Sequence, residues 1–421
     1  MTATALTKGD RATNERPSSR LLLLSTLLLS TLLLSTMGFS LLLGGNGNLH
    51  AAEPSNPASD VPSNPMIPPP LEDLGREHKV RLIYFVPSDR EVKPDYQKKA
   101  GVLMRVVADI YRREMKANGQ KTRGLDFEFE EDGRLKVHLV KGENPAVFYT
   151  GEPFSEDRMF ESHMNEITEA IPHRANLVFS ETRGIAEALP QPDIFGGFSI
   201  VSGDVFRDEI TASTIEKQIG SFFDATPVRK VEGAKEEPRK VESQVTNGVL
   251  IHELGHIFGM LHDSSQAANI MFYGYHHLGR MYDPEIAGTR PVRFSPAHAR
   301  IAARTRFLSE TFDESDSEPP VIREFKLLRP PKAGDETVTA SLKMSDNRGL
   351  GALVCMQRGG EWIDAMVADL DLQGEKTFER TVTLKCPKPL GSSQGVRYMI
   401  NVVDVNGNLN QEIVDSYVVP K

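Results

Sequence analysis

Cysteine is nearly missing from this chain: Cys355 and Cys386 are the only two among 421 residues. That scarcity excludes a disulfide-built scaffold, and neither residue belongs to a Cys-x-x-Cys metal pattern. An excess of positive charge is missing too. The net charge is −9 with 25% charged residues, so no nucleic-acid partner is expected. The basic pairs Arg229-Lys230 and Arg239-Lys240 are interleaved with Glu232, Glu236 and Glu237, the pattern of a solvated loop. Long apolar runs are absent except for one. Leu21 to Leu43 is built largely of leucine and follows Lys8, Arg11, Arg16 and Arg20. It reads as an export signal with a small-residue cleavage site near Ala51 or Ala52. The run is also long enough to cross a bilayer, so an uncleaved anchor over residues 21–43 stays open. The expected location is therefore outside the cytoplasm: secreted, periplasmic or at the cell surface. No cysteine directly follows the run, which argues against a lipoprotein. In an exported chain Cys355 and Cys386 are expected to form a disulfide, two buried thiols being the alternative.

What the chain does contain is concentrated in His252-Glu253-Leu254-Gly255-His256-Ile257-Phe258-Gly259-Met260-Leu261-His262-Asp263. Two histidines four apart share one helix face, about one turn from each other, so both imidazoles reach one ion. Gly259 can adopt positive φ, end the helix and turn the chain back so that His262 becomes a third ligand. Three protein ligands leave a fourth position for water, the signature of a catalytic rather than a structural zinc site. Glu253, beside the first histidine, is placed to act on water rather than on the metal.

The segment resembles the metzincin clan of zinc endopeptidases, whose long motif is HExxHxxGxxH followed by a family-specific residue and a methionine-containing turn. Asp263 is the residue type seen in the adamalysin or reprolysin branch, and the resemblance implies that it holds the loop beneath the metal. Asn269-Ile270-Met271-Phe272-Tyr273-Gly274 fits the turn, with Met271 as a soft floor under the imidazoles. Tyr273, two places on, looks like the astacin and serralysin arrangement, where the phenol steadies an oxyanion; a packed tyrosine is the other reading. The short segment between His262 and Met271 is more like a matrixin. Yet no cysteine lies between the export signal and the motif, so matrixin-type latency is not available within the chain. The linker acids Asp60 and Asp73 are the remaining candidates to block the metal, without support from spacing. His276 and His277 follow the turn and are expected to be loop histidines.

The expected fold class is an α+β, zincin-like catalytic domain, a twisted sheet plus an active-site helix, followed by an all-β sandwich. Residues 1–52 form the signal or anchor and 53–78 a proline- and serine-rich linker. Residues 79–312 form the metalloprotease-like domain, 313–320 an acidic linker ending in proline, and 321–421 an immunoglobulin- or fibronectin-like sandwich. Within the catalytic part, strands are expected at 79–87, 125–129, 135–140, 176–180 and 197–203, with the second and third forming a hairpin. Helices are expected near 95–118, 212–223, from Thr246 through the motif, and from Ser295-Pro296 to Leu308. The strand at Gly197 to Gly203 is either a sheet edge for an extended substrate or a place of bulge and turn chemistry. The sandwich is expected to hold seven short strands, beginning near Val321, Val338, Ala352, Trp362, Phe378, Val396 and Ile413. Its Asp346, Asp404 and Asn406 are of the type that coordinates calcium and, more commonly, of the type that builds turns.

Together these features imply an exported zinc endopeptidase acting on a protein or peptide. The alternative is a catalytically silent zinc-site protein that captures peptides or adheres to surfaces through its β-sandwich. That sandwich is expected to be a spacer or a protein- or glycan-binding module. Removing it at the Glu314 linker should then leave hydrolysis intact.

Overall fold

The computed structural model describes residues 62 and 64–420, apart from 151–154, 170–173, 183–185, 191–195, 231–233, 290–291, 360–363 and 393. The expected export signal, Asp60 and Trp362 lie outside the described residues. No helix among the described residues is long and apolar enough to cross a membrane.

Strand β1 (Val80–Val86) opens the fold, followed by helix α1 (Tyr96–Ala117), β2 (Val137–Lys141), α2 (Ala146–Thr150) and α3 (Glu156–Glu166). Then come β3 (Arg174–Ser180), β4 (Ala186–Pro190), β5 (Gly196–Ser202), α4 (Ile215–Ser221), the two-residue strands β6 (Pro227–Val228) and β7 (Glu237–Pro238), and the motif helix α5 (Arg239–Ile257). The sheet order is β2-β1-β3-β5-β4, parallel except for the antiparallel pair β4 and β5. β1 and β3 are apolar on both faces because helices cover both sides of the sheet. Their alternating side chains separate two cores. Leu82, Tyr84, Leu177 and Phe179 pack with α1 and α5, whereas Ile83, Phe85 and Val178 pack with Tyr149, Met159 and Phe160.

Several expectations change here. The hairpin is reduced to its turn: Leu125 to Phe129 makes only isolated bridges, Val80 with Phe127 and Phe129 with Leu135. β2 instead pairs in parallel along β1, taking the ladder that a hairpin would have used. β5 is not an edge, because β4 covers it. The motif helix begins at Arg239, directly after Pro238, and not near Thr246. The helix opened by Ser295 and Pro296 is shorter than expected, α6 (Pro296–Ala302), with Ser295 Oγ accepting from His298 N at 3.2 Å. The described part of the 53–78 linker lies on the folded chain: Met66 N donates to Tyr282 O at 3.0 Å and Leu74 N to Asp126 Oδ1 at 3.1 Å. Asp73 accepts from Gly75 N and Lys79 Nζ, which occupies it away from the histidines.

Among the described residues the C-terminal part is five strands rather than seven: β8 (Val321–Leu327), β9 (Thr337–Arg358), β10 (Asp364–Lys385), β11 (Gly395–Asp404) and β12 (Leu409–Tyr417). β9 and β10 each join two of the expected stretches into one 22-residue strand. All five lie on one antiparallel hydrogen-bonded path, in the order β10-β9-β11-β12 with β8 also on β9, and the two halves of β9 contribute to one core, Val338 and Leu342 with Leu353 and Cys355. Both long strands change direction where Gly349 (φ 140°) faces Gly374 (φ 82°); a Cβ on Gly349 would lie 2.5 Å from the Gly374 carbonyl oxygen.

The expected disulfide is absent. Cys355 and Cys386 are both free and buried. Cys355 pairs opposite Ala368 and Cys386 N bonds Glu336 O, and both side chains enter the same core. Asp346 and Asp404 cap their own turns, accepting from Arg348 N and Gly349 N, and from Asn406 N and Asn408 N; the Asn406 amide donates to Asp313 O. That is turn chemistry.

The two parts of the chain share a core. Ala297 and Ile301 of α6 pack against Ala352, Val354 and Met356 of β9 and Met399 and Val403 of β11. Arg300 pairs with Asp369 and Arg304 with Asp371 at its rim. Ile301 is only 1% exposed. Ile301→Ala should therefore destabilise the chain by about 2–5 kcal/mol. Urea unfolding followed by fluorescence would test this, an unchanged midpoint showing that the shared core contributes nothing.

Candidate metal centre

Helix α5 is buried nearly all round, Leu250, Ile251 and Leu254 included, as a helix at the centre of a core must be. It carries His252 and His256 on one face. At its end Gly259 (φ 83°) completes a two-bond terminus, Met260 N to Gly255 O at 2.9 Å and Gly259 N to His256 O at 3.0 Å. This reversal delivers His262. The three Nε2 atoms of His252, His256 and His262 then stand 3.1–3.2 Å apart.

That convergence is compatible with a shared metal ion. His252 Nδ1 donates to Ile270 O at 2.9 Å and His256 Nδ1 to Met260 O at 2.8 Å, which leaves both Nε2 atoms as lone pairs. Burial, reinforced by His262, holds the His252 imidazole down at about 3 and His256 well below the usual range, so both are neutral. Lone pairs facing one another repel unless a cation lies between them. Tetrahedral ligands about 2.05 Å from zinc are roughly 3.3 Å from each other, close to the observed spacing. The residues fit a zinc ion. Among the described residues, the other group with three such ligand atoms close together is Glu77, His78 and Glu314, which is partly exposed.

The turn after the helix supports this cluster. Asp263 is fully buried and accepts from Asn269 Nδ2 at 2.7 Å, Ser265 N at 3.0 Å and Met366 N at 3.2 Å. Its own N–H donates to Met271 O at 3.1 Å. Met271 is buried against α5 at Gly255, where a Cβ would lie 2.6 Å from its sulfur, so the small residue inside the motif makes room for the floor.

Glu253 is 7% exposed, and burial followed by the nearby Glu187 raises its carboxyl well above the ordinary range. Glu187 lies on the edge strand β4, which packs over α5. Tyr273 is 47% exposed, its ring against Phe272 and His276. Tyr275 lies deeper. Its ring is edge-on to His252 with centroids 5.5 Å apart, and burial together with Glu253 pushes its phenol up to about 12. A Cβ on Gly248 would lie 2.3 Å from Tyr275 Cβ, so a glycine one turn before His252 admits this ring. His276 stacks on Tyr275 and His277 is exposed; neither belongs to the three-histidine group.

Sequence reasoning passed over four groups near this centre: Glu187, His298, Asp364 and, as more than a pocket residue, Tyr275. His298 is fully buried on α6, held down at about 4 by burial against the pull of Asp263. Glu187, His298 and Asp364 come from separate elements and share no local spacing with the motif. Only Tyr275, a short step past Met271, had a local signal.

No family model matches the chain, and no curated protein sequence does either. Solved structures do. Wild-type OgpA from Akkermansia muciniphila superposes with a TM-score of 0.51 at 17% identity, covering 82% of this chain and 95% of OgpA. The chain shares its fold with OgpA. That coverage is more than the residues before β8 can supply, so the C-terminal sheet is part of the likeness. A catalytically inactive OgpA in complex with an O-glycopeptide (glycodrosocin) substrate matches at a TM-score of 0.49 and 16% identity, over 82% of this chain and 94% of that one.

Buried neutral histidines make the fold acid-sensitive. His163, whose Nδ1 and Nε2 lie 2.8 Å from Met159 O and Ser180 Oγ, is held at about 4 by burial. An unfolded histidine titrates near 6.5, so the stability it contributes is complete above that value and is lost as pH falls toward 4. With metal chelated, the urea midpoint should fall between pH 7 and 5, and His163→Gln should remove part of the slope. Equal slopes in the two proteins would refute the assignment.

Proposed function

We propose that this chain is an exported zinc-dependent endopeptidase. The observation that carries the reading is the convergence of three imidazoles beside a buried glutamate, on a fold shared with OgpA. Zinc, when bound, would supply Lewis acidity, lowering the pKa of water and polarising a carbonyl oxygen. His252, His256 and His262 would hold it. Glu253 takes the proton from the attacking water and returns it to the leaving amine; its raised proton affinity suits a group that must accept before it donates. Tyr273 or Tyr275 donates to the developing oxyanion, the exposed phenol by swinging in and the buried one from its position beside His252. β4, the antiparallel edge strand over α5, offers backbone groups to an extended peptide. The leucine-rich N-terminus supports export. A peptide substrate agrees with the O-glycopeptide bound by OgpA, and the peptide itself is the shared chemistry.

Glu253→Ala should keep zinc and lose about 10²–10⁴-fold in turnover. Full-length protein should be assayed on unmodified and O-glycosylated peptides, with and without chelator. Wild-type rates in Glu253→Ala, or cleavage indifferent to chelation, would remove the reading. The two peptide arms separate a general peptidase from one that requires a glycan.

A further inference from the structure

The loop that carries the third histidine is gripped by the C-terminal sheet. Asn401 Nδ2 of β11 donates to Gly259 O at 2.9 Å, Ser264 N donates to Asp364 O at 2.6 Å, and Met366 N reaches Asp263 Oδ1 at 3.2 Å. Asp364 Oδ2 stands 3.7 Å from His262 Nδ1. Each histidine of the centre thus meets a different partner at its far nitrogen. His252 and His256 have backbone carbonyls supplied by the turn and the helix end. His262 faces a carboxylate from the first residue of β10, about a hundred residues downstream.

Asp364 is built for that task. It is 6% exposed, opposite Arg358 in the β9–β10 ladder, whose guanidinium forks onto both carboxylate oxygens, Nε to Oδ1 at 2.6 Å and Nη2 to Oδ2. The fork from Arg358 fixes the plane of the carboxylate, with Oδ2 toward His262 Nδ1. A carboxylate 3.7 Å from Nδ1 favours a proton there, and so the tautomer whose Nε2 lone pair points at the ion.

We propose that Asp364 is a positioning residue of the metal centre, orienting His262 from the C-terminal sheet, so that the sheet completes the centre instead of merely flanking it. This rests on His262 being a ligand. It also reverses the expectation that the chain would work without its C-terminal part.

Zinc affinity of the full chain, measured by competition with a chromophoric chelator, tests it independently of turnover. Asp364→Asn keeps the volume and removes the charge; its affinity should fall about 10–100-fold. Arg300→Gln, which weakens the same interface far from the loop, should leave affinity near that of the parent. A fall of less than about tenfold in Asp364→Asn, or an equal fall in Arg300→Gln, overturns the proposal. Should Asp364→Asn not fold, the unaltered chain decides. With ¹⁵N-labelled histidine and bound zinc, the Nδ1 proton of His262 should resonate downfield of those of His252 and His256, which face carbonyls; a proton no further downfield overturns the assignment. His262→Ala is the reference for the underlying reading. If it binds zinc as tightly as the parent, the metal centre itself is wrong; if it alone loses zinc, only the role of Asp364 is.

Discussion

Three lone pairs aimed at one point repel, and the architecture around them is arranged to maintain that unfavourable geometry. Burial keeps His252 and His256 neutral, and the carbonyl that each Nδ1 meets prevents those two rings from turning away. The buried helix α5 supplies two of the rings and a left-handed glycine supplies the reversal that brings the third. The turn after His262 returns a carbonyl, Ile270 O, to the first ring. Gly248 and Gly255 are small because Tyr275 and Met271 must come close to the helix.

The buried acids of the centre are not equivalent, and the differences follow from their partners. Asp263 receives three hydrogen bonds and is spent on holding the turn. Asp364 is neutralised by an arginine fork. Glu253 has burial and a neighbouring glutamate, both of which favour its protonated form. An acid in that environment is a poor structural anchor and a capable proton carrier once a cation lies beside it.

The convergence of the three rings was legible in the chain because it is local. His252, Glu253, His256, Gly259 and His262 lie within one helix and its reversal, where spacing alone determines which faces coincide. Met271 and Asp263 could be placed from the resemblance, and the Ser295-Pro296 helix start from capping rules. What escaped was everything decided at long range. β5 looks like an edge until β4 returns to cover it. The stretches at Val338 and Ala352 look like two strands because Gly349 interrupts them, yet both pair with β10 on either side of a shift in register. Cys355 and Cys386 carry no information on register, so their free state could not be read. Asp364 has nothing in its neighbours to connect it with a histidine so far upstream.

The bond from Met366 N to Asp263 Oδ1 spans 103 residues. During synthesis the helix with its two histidines emerges well before β10 exists. The loop bearing the third histidine therefore waits, without its far-side restraints, until most of the last hundred residues have been made. Such long loop closures come late in folding because their entropy is lost before the contacts can compensate. The order of synthesis itself thus sets a timer on the centre: a partly made chain carries the whole motif but none of the clamp that holds its third ring.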